Sequence, residues 1–152
     1  MSFEERLVNL KINLPDAPSP VGSYVAYKIV NKLVYISGQL PVDKGEIIKG
    51  KIGKDISIDK GKEAAKICCI NILSQLKAAC AGKLDNVKNC IKITGFVNST
   101  DDFKDQPTII NPASELLTSV FGQNGKHARA AVSVNSLPLG ACVEIDAIFE
   151  IN

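Results

Sequence analysis

The residues able to do chemistry gather between Lys126 and Glu150, where one arginine and several carboxylates interrupt two apolar runs. Arg129 offers a planar fork of donors, the geometry that takes a carboxylate bidentately. Glu144 is the kind of group that holds water or passes a proton. Both runs alternate with a period of two, as half-buried strands do. In the first, Arg129, Ala131 and Ser133 alternate with Ala130, Val132 and Val134. In the second, Val143, Ile145, Ala147, Phe149 and Ile151 share one face, and Glu144, Asp146, Ile148 and Glu150 share the other. Residues 135–140, NSLPLG, hold the turn formers of a hairpin-like connection. Neighbouring strands would then turn Arg129 and Glu144 toward a common space, a pocket suited to binding a carboxylate and handling protons. The same pattern fits a salt bridge from Arg129 to Glu144 or Asp146, and Glu144 fits equally the solvent face of a strand.

His127 is the single histidine of the chain. Alternation of adjacent strand residues separates its side chain from an Arg129 pocket, and its glycine-rich approach reads as a loop edge. Tyr24 suits a packed aromatic as well as a ligand contact. Cys68, Cys69, Cys80, Cys90 and Cys142 form no CxxC and no Cys/His cluster with metal-ligand spacing. They read as small buried hydrophobes in a reducing compartment. No activating histidine accompanies Cys142, so thiol chemistry is not expected.

The elements that must position these groups follow from the rest of the chain. Residues 1–13 open with a short amphipathic helix on Phe3, Leu7 and Val8, and 14–20 carry three prolines that fix φ and remove amide donors, hence loop. Two β-branched and aromatic runs around Asn31-Lys32 predict a β-hairpin over 24–37. Residues 43–55 form a glycine-rich connection with turn spacing and no phosphate cradle, which argues against nucleotide binding. In the stretch 57–81, Ala65, Cys69, Ile72, Leu76 and Ala79 recur at helical spacing, with Gly82 suited to the C′ position. A strand over 87–98, with Ile91, Ile93, Gly95 and Val97 on one face, and a second helix over 107–121 complete the order ββαβαββ. This is an α+β fold, a mixed or antiparallel sheet with both helices packed on one face. The opposite face is left half apolar. Further copies of the chain most commonly cover such a face, which puts a ligand site in clefts between subunits.

With 45% hydrophobic and 22% charged residues, 152 residues make one domain, 1–152, with 1–17 as an N-terminal arm. That length buries roughly 68–70% of the surface exposed by the unfolded chain. A net charge of +2 and the absence of any basic run remove the footprint of a nucleic-acid binder. No apolar run reaches membrane-spanning length and MSFEERLVNL lacks the charge pattern of a leader, so a cytoplasmic protein without membrane contact is expected.

Five pieces in order, SPVGSY at 19–24, VYISGQLP at 34–41, Asn111, ARAAV at 128–132, and Leu137-Pro138 followed by VEIDA at 143–147, resemble the Rid/YjgF family. These are the reactive-intermediate imine/enamine deaminases, also described as endoribonuclease L-PSP-like. The resemblance runs from Pro18 to Glu150. It implies a chorismate-mutase-like fold and a homotrimer with three intersubunit clefts. The implied reaction is hydrolysis of 2-aminoacrylate-like enamines and imines to 2-keto acids and ammonia, as in 2-iminobutanoate/2-iminopropanoate deaminases, with no metal or bound cofactor. The substrate would be a small carboxylate. By motif position Arg129 grips that carboxylate, Tyr24, Ser37 and Asn111 line or shape the cleft, and Glu144 positions water. The chain departs from the pattern at His127, where the family has proline, at Ala130, where it has serine, and at Ala131, where it has cysteine. These changes leave open an alternative, a non-catalytic carboxylate-binding oligomer of the same fold. RNA cleavage, described for some relatives, finds no basic patch and no paired histidine/lysine constellation here.

Overall fold

Ser57 opens the longest helix by accepting a hydrogen bond from the Lys60 amide on its side chain, the expected N-cap contact. In the computed structural model, which describes all 152 residues, the elements in order are α1 (Phe3–Asn9), β1 (Tyr27–Val30), β2 (Leu33–Gln39), β3 (Val42–Asp43), β4 (Glu46–Ile47), α2 (Ile58–Ala79), β5 (Val87–Asn98), α3 (Gln106–Phe121), β6 (Ala128–Val134) and β7 (Val143–Ile151). Helix α2 ends one residue earlier than Gly82 suggested. Ala81 takes the left-handed C′ position (φ 54°), its amide reaches Ala78 O at 3.1 Å, and the Gly82 amide reaches Lys77 O at 2.8 Å. These are the paired bonds of a Schellman motif.

The main sheet has the order β1-β2-β7-β5-β6, with β5 and β6 parallel and every other pair antiparallel. The fold is therefore the expected mixed α+β arrangement, with α2 and α3 packed on one face. Three departures matter. First, β6 and β7 are not hairpin neighbours: β5 lies between them. Helix α3 carries the chain from the end of β5 back to the start of β6, so those two pair in parallel, and 135–142 then crosses β5 to reach β7. Second, β5 carries a bulge between Cys90 and Lys92. Cys90 sits opposite Phe149 in the core and Ile91 is pushed out, 40% exposed, instead of heading the inner face. Third, the glycine-rich connection is more ordered than a loop. It holds the β3–β4 ribbon and then bridges to both Ala141 and Ser99, with Ile52 fully buried.

Lys51, beside Ile52, ties this connection down. Its Nζ donates to Asn98 Oδ1 (2.8 Å), Ser99 O (3.2 Å) and Asn135 O (2.6 Å). At the N-terminus a third helix, α1, is closed by a Ser2–Glu5 capping box. Phe3 packs edge-on against Phe121 at 4.9 Å and Leu7 is buried, whereas Val8 points to solvent.

The core lies between the sheet and α2/α3. Ile72, Leu73, Leu76, Ile109, Ile110 and Leu117 from the helices meet Val34, Ile93, Val97, Ile145 and Phe149 from the strands. All five cysteines are free and buried. On β7, Val143, Ile145, Ala147 and Phe149 face the helices, leaving Glu144, Asp146, Ile148 and Glu150 on the open face as alternation requires. No helix is long and apolar enough to cross a membrane.

Candidate functional site

The expected site residues fall into two groups on opposite faces of the sheet. Arg129 pairs in register with Ile93, an inner-face residue of β5, so it points to the helix side. Glu144 pairs with Phe96 on the open side. The common space expected for Arg129 and Glu144 does not exist within one chain, because the strands are not adjacent and the side chains diverge. The same geometry removes the salt bridge to Glu144 or Asp146.

Around Arg129 the partners come from α3. Its Nη1 donates to Asn111 Oδ1 at 2.9 Å and to Ser114 Oγ at 3.3 Å. Positions 111 and 114 are one turn apart and share a helix face. Both acceptors are neutral, and the ion pairs of the structure, Lys60–Glu63, Lys77–Glu4 and Lys88–Glu150, do not include Arg129. Its charge has no counter-ion. Both Nη1 hydrogens are engaged, so the Nε–Nη2 edge remains for a bidentate anion.

His127 sits at the loop edge, one residue before β6, as expected, yet it is not separate from Arg129 and belongs to this group. Positions 127 and 129 are two apart, not adjacent, and so point the same way. His127 Nε2 lies 2.8 Å from Ser114 Oγ, and Nδ1 lies 2.6 Å from Gly125 O. Ser114 was not foreseen, although its i+3 spacing from Asn111 would have found it.

The second group frames a cavity of about 310 Å³ at the β1–β2 end, lined among others by Pro18, Tyr24, Gly38, Leu40, Pro138 and Glu144. Its walls are fastened by side chains of α2. Gln75 Nε2 donates to Pro18 O at 2.6 Å, and Asn71 Nδ2 donates to Leu40 O and Val42 O at 3.0 Å each. Ser37 donates its hydroxyl to Val25 O at 2.7 Å, which pins the 24–26 segment beside β2. Ser37 thus shapes the wall. Tyr24 is half exposed on the lining, and its hydroxyl accepts the Val21 amide at 3.1 Å.

Glu144 is half-buried, and no donor in the chain reaches its carboxylate. Desolvation raises its pKa above the usual carboxylate value, and the neighbouring Asp146 adds to the rise. Burial likewise raises Asp146, partly offset by hydrogen bonds from Thr94. Gly38 stands directly against this carboxylate, and a Cβ there would collide with Glu144 Oε2. Glycine is what lets the acid lie over the strand. No cluster of three or more His, Cys, Asp or Glu is assembled anywhere to hold a metal ion.

A mixed five-stranded sheet backed by two helices defines the chorismate-mutase-like α+β class. Comparison with known proteins narrows this: the family described as "YjgF/chorismate_mutase-like, putative endoribonuclease" matches residues 4–150, and the chain belongs to that family. TCP17 of Trypanosoma cruzi is 43% identical over 148 residues, covering 96% of this chain and 92% of the relative. The human 2-iminobutanoate/2-iminopropanoate deaminase is 30% identical over 144 residues, covering 93% and 90%. Among solved structures, Atu1372 of Agrobacterium tumefaciens superposes with a TM-score of 0.92 at 45% identity, covering 99% of this chain and 92% of that one.

Proposed function

We propose that the protein hydrolyses small enamines and imines bearing a carboxylate, of the 2-aminoacrylate kind, to 2-keto acids and ammonia. The observation that carries this reading is Arg129: a partly buried guanidinium held by neutral acceptors alone, with one bidentate edge free. The relatives named 2-iminobutanoate/2-iminopropanoate deaminase support the reaction class at about 30% identity.

The substrate carboxylate docks on the Nε–Nη2 edge of Arg129, which leaves C2 exposed to a second wall. That wall is the Glu144 cavity of another copy of the chain. Leu33, Tyr35, Ile148 and Val132 lie on the uncovered face among Glu144 and Asp146, while Arg129 lies on the edge strand β6; in three copies joined through the uncovered faces, the β6 edge of one would meet the Glu144 cavity of the next. In the cleft, a proton from solvent water adds to the enamine carbon and gives an iminium whose C2 is electrophilic. Glu144 takes a proton from the attacking water as oxygen adds to C2, and returns it to nitrogen. The C–N bond then breaks with its electron pair on the departing ammonia, while the C2 hydroxyl gives its proton to the Glu144 carboxylate and becomes the carbonyl; release of that proton to solvent balances the one taken up by carbon. Electrons balance without a redox partner. The raised pKa of Glu144 brings it closer to the neutral range where both transfers are efficient.

In a coupled assay with an amino-acid oxidase, the wild-type protein should speed imine loss. Arg129→Ala should lower kcat/KM by about 10²-fold or more, since a charge-assisted bidentate contact is lost. No acceleration with any of several amino-acid-derived imines sinks the proposal. The second reading, a carboxylate binder without turnover, draws on Ala130, Ala131 and His127 at positions where the family pattern differs. Thermal stabilisation by 2-keto acids with no turnover would establish it instead.

A further inference from the structure

We infer that Ser114 and His127 are positioning residues for Arg129, a relay that starts at the Gly125 carbonyl and sets the plane in which the guanidinium meets a carboxylate. The inference rests on the anchoring role proposed for Arg129. For a neutral imidazole the hydrogen directions along the relay follow from its first contact. A carbonyl can only accept, so the His127 nitrogen 2.6 Å from Gly125 O, Nδ1, carries the proton. In the neutral ring Nε2 is then the acceptor, and the Ser114 hydroxyl 2.8 Å away donates to it. With its hydrogen committed, Ser114 Oγ presents lone pairs to Arg129 Nη1 at 3.3 Å, while the other Nη1 hydrogen goes to Asn111 Oδ1 at 2.9 Å.

The starting point is rigid. Gly125 lies so close to α3 that a Cβ on it would collide with the Leu117 carbonyl. The relay is therefore braced by a single helix, α3, which supplies Leu117 beneath Gly125 as well as Asn111 and Ser114. An arginine side chain otherwise samples many rotamers, and fixing it before the ligand arrives removes an entropy loss from binding. Neither Ser114 nor His127 touches the Nε–Nη2 edge, so both act through Arg129. Only a side chain with an acceptor at position 127 can receive the Ser114 hydroxyl, so this relay depends on the histidine found here.

The test measures Kd for 2-oxobutanoate by calorimetry, and KM and kcat for the coupled imine assay, on the full chain and on Ser114→Ala, His127→Ala, His127→Gln, Arg129→Ala and the double variant Arg129→Ala/His127→Ala. Ser114→Ala and His127→Ala should each raise Kd and KM about tenfold, with kcat within about threefold of wild type. His127→Gln keeps an acceptor facing Ser114 and should recover most of the loss. In the Arg129→Ala background the His127 change should add nothing, the non-additivity expected of groups acting as a unit. Should His127→Ala not fold, Ser114→Ala and His127→Gln make the same comparison. An unchanged Kd in Ser114→Ala, or an equal His127 effect with and without Arg129, overturns the relay. Arg129-dependent keto-acid binding that feels Ser114 and His127, without imine hydrolysis, upholds the relay and refutes the deaminase. Hydrolysis that needs Arg129 and ignores Ser114 and His127 does the reverse. Wild-type protein that binds no keto acid overturns the relay.

Discussion

Glu144 and Gly38 make the environment of the acid measurable. Burial and Asp146 both disfavour the Glu144 carboxylate, so its folded pKa lies above its unfolded one. Between those two values the folded state holds more protons than the unfolded chain, and stability falls as pH rises. Glu144→Gln removes that loss. Its melting midpoint should exceed wild type at about pH 7–8, and the gap should close below about pH 4, where the acid is protonated in both states. The same variant should lose about 10²-fold in kcat if Glu144 handles the protons of water and nitrogen. Gly38→Ala forces the Glu144 carboxyl aside and should cost a comparable factor in kcat, checked in the same assay. Arg129 could be singled out as a candidate anion ligand because its chemistry is local. Its actual partners were not, because they depend on where α3 lies over the sheet.

The connection 48–52 shows how a polar side chain can organise a segment that reads as loop. Lys51 satisfies Asn98 Oδ1, Ser99 O and Asn135 O together, and Asn98 is almost fully buried. Lys51→Met would strand these oxygens and should destabilise the protein by about 2–3 kcal/mol in urea unfolding. Ala81→Gly should do the opposite. Relief of a left-handed alanine at the end of α2 is worth about 0.5–1 kcal/mol, read as a raised urea midpoint. Periodicity located α2, β5, α3 and β7 closely because each buries one face over many residues. Two features escaped it. A bulge admits one extra residue without changing composition, so Ile91 was placed on the face of Ile93, from which the bulge turns it away. The NSLPLG segment has the residues of a hairpin turn, but turn residues do not say whether the two strands they join are neighbours.

In the proposed assembly each cleft draws Arg129 from one copy and Glu144 from another, and this can be tested by mixing. Arg129→Ala and Glu144→Gln proteins, each inactive alone, should regain activity when refolded together at equal amounts, with about a quarter of the clefts carrying both intact groups in random trimers. Activity that stays at the level of the parents would place both groups in one subunit or discard their roles. Ile148→Glu, on the uncovered face, should give a smaller species by native mass measurement with turnover lost. The whole-molecule pattern was legible as far as the layer order and the uncovered face. That Arg129 and Glu144 face opposite sides of one chain was not, since it depends on the strand order across the sheet. That order has another effect. Strand β7 comes last along the chain yet sits at the centre, between β2 and β5. Until it is made, β1–β2 and β5–β6 are separate fragments with bare inner edges, so a ribosome-bound chain lacking residues 143–152 should remain protease-sensitive and dependent on chaperones, and become resistant only when those residues emerge.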